Sequence, residues 1–130
     1  MFRLTAAGAL MGAPTLVTDK TDSNSENTQS FAAAGRPDGT VMAAWHTCGT
    51  FGDSSGCGVF GRIMHSDGTP VTDAFGLATS TTGDQTSPAI AGIADAFVAT
   101  WSDASMGEPD HAGLAVRARV IYPPGTAAGN

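Results

Sequence analysis

Two tryptophans, Trp45 and Trp101, close runs of similar character, Val-Met-Ala-Ala-Trp and Phe-Val-Ala-Thr-Trp. An indole face suits the apolar side of a sugar ring, so such a pair would form a carbohydrate platform. A large aromatic recurring at one strand position also fills space between packed sheets, and core packing is the favoured reading of both. Arg62 and Arg119 recur in the same way, in Gly-Val-Phe-Gly-Arg and Ala-Val-Arg-Ala-Arg, and Arg117 shares a strand face with Arg119. A guanidinium fork would hold a carboxylate or sugar hydroxyls. The structural alternative, preferred here, ties these arginines to Asp103 or Asp95 on neighbouring strands. Trp45, Trp101, Arg62 and Arg119 are the candidate ligand-binding set.

Other side chains offer weaker chemistry. Asp53, Asp67, Asp103, Glu108 and Asp110 could supply hard oxygen ligands to calcium, but they form no alternating Asp-x-Asp series ending in Glu. Asp103, Glu108 and Asp110 are the best calcium candidates, and acidic residues beside Gly and Ser are more often turn formers. No other cofactor is expected. His46, His65 and His111 are scattered without metal-ligand spacing and read as surface residues. No catalytic residue is assigned, and the chain is not expected to be an enzyme.

Cys48 and Cys57 bracket a loop of Gly, Thr, Asp and Ser whose turn residues let its ends meet. A disulfide is the favoured reading over two free thiols. Such a bond implies maturation outside a reducing cytosol, hence a secreted or cell-surface setting. The start, Met-Phe-Arg-Leu-Thr-Ala-Ala-Gly, has the outline of an export signal, but its apolar stretch is weak and Gly-rich. It reads as structure.

The elements that position these residues come in two series. Arg3-Leu4 parallels Arg62-Ile63, Ser30–Gly35 parallels Ser87–Gly92, Val41–Trp45 parallels Phe97–Trp101, and Gly58–Ile63 parallels Ala115–Val120, at a shift of about 57 residues. Runs of 5–8 residues separated by Gly, Asp, Ser, Thr and Pro, with no sustained 3.6-residue period, indicate an all-β chain. Strands are expected near 2–6, 14–18, 30–35, 40–47, 58–65, 74–79, 87–93, 96–103 and 113–122. Turns are expected at Asp38-Gly39, Ala94-Asp95 and Ser66-Asp67-Gly68. Four strands per unit is the pattern of a β-propeller blade, with a β-sandwich as the alternative. The chain then forms one all-β unit over 1–130: repeat 1 at about 3–61, repeat 2 at about 62–121, and a tail at 122–130.

These residues resemble a family of tandem repeats in bacterial secreted and surface proteins. Its units run Gly-Asp-Gln, Pro-Ala-Val-Ala, a Phe-Val-Val-Trp strand, a Gly/Asp/Ser loop, then Gly-Val-Tyr-Gly-Arg and an Asp-Gly turn. Here Gly83-Asp84-Gln85, Ser87–Ala91, Phe97–Trp101, Gly52–Gly56, Gly58–Arg62 and Asp67-Gly68 look like those elements, over most of residues 26–122. Phe31 in place of Pro and the cysteine pair depart from the pattern. The resemblance implies a propeller-like fold and an extracellular setting, and brings no catalytic residue.

Composition narrows the function. The 130 residues carry a net charge of -6 and only 14% charged residues, against roughly 25% in an average domain. A nucleic-acid surface is disfavoured, and no apolar run is long enough to span a membrane. The expectation is a non-catalytic extracellular recognition module, carbohydrate-binding in the manner of a lectin, with blades completed by homo-oligomerisation or by the remainder of a longer chain. The alternative is a scaffolding fragment of a larger secreted protein that takes no small ligand.

Overall fold

The computed structural model describes residues 7–8, 17, 27–48, 56–78, 83–104 and 113–124. All regular structure among them is β: β1 Asn27–Gly35, β2 Val41–Cys48, β3 Cys57–Met64, β4 Phe75–Gly76, β5 Gln85–Gly92, β6 Phe97–Asp103 and β7 Ala115–Ile121. They form two antiparallel sheets, one in the order β1-β2-β3-β4 and one in the order β5-β6-β7.

Local chemistry sets the turns. Asp38 accepts hydrogen bonds from the Thr40 amide at 2.9 Å and hydroxyl at 2.6 Å, and Asp67 does the same for Thr69. The following Gly39 and Gly68 take φ of 89° and 88°, a region that favours glycine. The Thr40 hydroxyl also holds the Asp38 carboxyl below its ordinary value. The β5–β6 turn closes through the Ile93 amide donating to the Ala96 carbonyl at 2.9 Å.

Both sheets carry a bulge at the same register position. One extra residue enters β1 between Gln29 and Phe31, and one enters β5 between Thr86 and Ala89, in each case opposite the tryptophan of the next strand. Ser30 and Ser87 hold φ of 45° and 55° there. Left-handed serine is costly away from glycine, so its occurrence twice marks a shared backbone requirement.

The core lies between the sheets. Alternation along β2 and β3 sends Met42, Ala44, Val59 and Ile63 to one face. They cluster there with Phe97, Ala99, Trp101 and Ile121 from the other sheet and with Leu77. Near the ends of β1 and β5 the sheets meet backbone to backbone: a Cβ on Gly92 would strike the Gly35 carbonyl.

The expected strands at 30–35, 40–47, 58–65, 87–93, 96–103 and 113–122 and all three turns are present within a few residues of their expected ends. The strand expected over 74–79 shortens to Phe75–Gly76. Upstream, the Val71 and Thr72 amides both donate to the Ile63 carbonyl and turn the chain before it returns to β3. Expected strands at 2–6 and 14–18 lie outside the described residues, Val17 excepted. Cys48 and Cys57 face each other across β2 and β3 and form the disulfide.

Candidate functional site

The tryptophans are buried, at 6% exposure for Trp45 and 5% for Trp101. Trp45 stacks on Phe60, its cross-strand partner, with ring centroids 6.5 Å apart. Trp101 joins the inter-sheet core opposite Arg117, and its indole nitrogen meets no acceptor among the described residues. Both rings supply packing volume, as the favoured reading held, and neither offers a ring face to solvent.

The arginines are placed in parallel. Arg62 pairs with Ala43 and Arg119 with Ala99, each one step diagonal from its tryptophan on the same sheet face. Arg62 donates through Nε to the Thr72 carbonyl at 3.1 Å and through Nη1 to the Val17 carbonyl at 3.1 Å. Arg119 donates through Nη1 to the Gly76 and Leu77 carbonyls, both at 3.2 Å. Each guanidinium thus crosses to backbone outside its own hairpin. The partner is neither Asp95 nor Asp103, which corrects the carboxylate tie expected for these two. Arg117 does find Asp103, Nε to Oδ2 at 2.9 Å.

Asp103 is buried, and its Oδ1 lies 3.5 Å from Nε2 of Gln85, itself fully buried. A calcium ion there would compete with a guanidinium already in place, so the geometry suits an ion pair better than a metal ligand. Glu108 and Asp110 lie outside the described residues. Among the described residues no three His, Cys, Asp or Glu side chains converge on one point. One serine spacing bears on catalysis: Gly52-Asp53-Ser54-Ser55-Gly56 matches Gly-x-Ser-x-Gly. Apart from Gly56 it lies outside the described residues.

Several residues that spacing did not single out join the two sheets. His46 is buried, not at the surface as expected, and its Nδ1 accepts the Ser87 amide at 3.3 Å. Burial holds its pKa below the ordinary value, opposed by the charge of Asp84. His65 is exposed as expected, and His111 lies outside the described residues. Asp84 Oδ1 accepts the Cys57 amide at 3.0 Å, linking the second sheet's entry to the disulfide. Arg36 leaves the β1–β2 turn to donate to the Ala94 carbonyl at 3.1 Å, with its guanidinium carbon 5.7 Å from the Phe97 ring centroid. A lone polar residue ending a β run carries no signal of a partner so far along the chain. Only the Gly-Asp-Gln sequence hinted that Asp84 and Gln85 had structural roles.

Compared with protein-family models, curated proteins and solved structures, the chain matches none of them.

Proposed function

We propose that this chain is a non-catalytic extracellular module whose two sheets are successive blades of a propeller-type ring. The observation that carries this reading is the parallel use of Arg62 and Arg119. Arg119, on the third strand of its sheet, reaches the backbone of β4, the fourth strand of the sheet before it. Arg62, at the same place in its own sheet, reaches Val17, in the segment expected as a preceding fourth strand. The matching bulges opposite Trp45 and Trp101 support the same equivalence. Repeated details of this kind support successive units of one architecture. The disulfide supports an extracellular setting.

Within that reading the module works by binding or bracing, without chemistry. Burial of both indoles and engagement of both arginines by carbonyls favour a scaffolding role. Carbohydrate recognition is the second reading, favoured by the recurrence of an arginine at the same position in each sheet and by the exposure of Arg119. A glycan array separates them. Binding that falls at least tenfold in Arg119→Ala, with the variant still folded by circular dichroism at the assay temperature, supports recognition. Silence across a broad panel removes it and leaves the scaffold.

A further inference from the structure

Each strand of the second sheet has a counterpart in the first, and the two sheets stack in one direction only. The inner face of the first sheet, Met42, Ala44, Val59 and Ile63, is buried by the second. The counterparts of those residues, at the same register positions, are Val98, Thr100, Val116 and Val120. They form the opposite face of the second sheet, which is open along β7: Val116 is 79% exposed, Val120 and the adjacent Leu114 are exposed as well, and Val98 and Thr100 are half-buried. An apolar β face of this kind is a docking surface more than a solvent surface.

The other end of the stack shows the reciprocal feature. Pro88 follows the β5 bulge and is buried, while Phe31 follows the β1 bulge and is 82% exposed. One outward face therefore has an uncovered Phe where its counterpart has a buried Pro, and the other has uncovered Val where its counterparts are buried. The sheet edges match too. Among the described residues β7 has no strand on its outer edge, whereas β3 has β4 there. Val17 stands to Arg62 as β4 stands to Arg119.

We propose that the Val98–Val116–Val120 face docks the Phe31-bearing face of a second copy of this chain, head to tail, with the second copy's backbone at Val17 beside β7. The inference rests on reading the sheets as successive blades and is independent of any ligand. Because donor and acceptor faces differ, the contact is heterologous and closes into a ring when its rotation permits. Pairing of β7 also removes an open sheet edge.

Sedimentation of the chain with its disulfide intact tests this, using Val116→Glu and Phe31→Glu, both at exposed positions. Wild-type protein sediments at a multiple of 13.0 kDa. Either variant alone sediments as a single chain with an unchanged circular dichroism spectrum, and an equimolar mixture forms a species of twice the chain mass, since each variant retains one working face. A single-chain wild type at micromolar concentration overturns the second copy as occupant, while the blade reading survives with a later unit of a longer chain in that place. If Phe31→Glu alone still pairs, the contact does not use the Phe31 face and the head-to-tail proposal fails, while the intrachain equivalence of the sheets stands.

Discussion

The β2–β3 and β6–β7 hairpins share register and bulge position but are closed at their loop ends by different chemistry. In the first, Cys48 and Cys57 face each other and are joined covalently. In the second, buried Asp103 is held by Arg117 at 2.9 Å and approached by Gln85. The aromatic neighbourhood changes with the tie: Trp45 lies against Phe60, whereas Trp101 lies opposite Arg117. A disulfide constrains chiefly the unfolded chain and leaves native packing free to be apolar. An ion pair must be assembled inside the native fold, so it takes up positions that would otherwise pack. The same backbone tolerates both solutions because its register is set by the pleat and the bulge.

The comparison breaks most visibly at Arg117. Arg117→Met leaves the Asp103 carboxylate buried without its cation, and the expected loss is about 3 kcal/mol in urea unfolding. Asp103→Leu combined with Arg117→Met recovers most of it. A single-variant loss under about 1 kcal/mol would show that water reaches Asp103. Reduction of the disulfide comes next, with an expected loss of about 2–3 kcal/mol for a loop of this length, read as a lower urea midpoint under reductant. An unchanged midpoint would mean that cross-strand packing alone closes the first hairpin.

A smaller effect involves the link between the sheets. His46 is neutral in the fold because burial lowers its pKa, so the unfolded chain takes up its proton first. Stability from this group is complete above about pH 6.5, the ordinary histidine value, and is lost as pH falls toward the lower folded value. His46→Gln should flatten that slope between pH 7.5 and 5, measured as thermal midpoints against pH. A slope equal to wild type would assign it to carboxylates instead. Smallest of all, Ser30→Gly and Ser87→Gly relieve left-handed serine and should each stabilise by about 0.5 kcal/mol, by matching amounts. Opposite signs in the two sheets would deny that the bulges are equivalent.

The strand series was legible because Gly and Asp punctuate it: Asp38-Gly39 and Asp67-Gly68 name their own turns. The disulfide was legible because turn residues fill a short loop between its cysteines. The core role of Trp45 and Trp101 could be read from their recurrence, as could the Arg117–Asp103 tie from charge and strand adjacency. Arg119 was misassigned to Asp95 or Asp103 because its partners are main-chain carbonyls, which every residue possesses and no residue type advertises, and Arg62 likewise reaches the Thr72 and Val17 carbonyls. His46 was placed at the surface for a related reason. Its burial depends on the second sheet lying over it, and the amide it accepts belongs to a bulge 41 residues away.

The contact between Gly35 and Gly92 has a mechanical consequence. Where two sheets are spaced by side chains, rotamer changes let them slide or breathe. At this one point main chain meets main chain, with no room for even a methyl group on Gly92. The contact is a fixed stop at one end of the interface, set without rotamers, while core side chains space the sheets elsewhere. Toward the other end they are fastened by single hydrogen bonds, His46 to Ser87 and Asp84 to Cys57, which break and re-form at small cost.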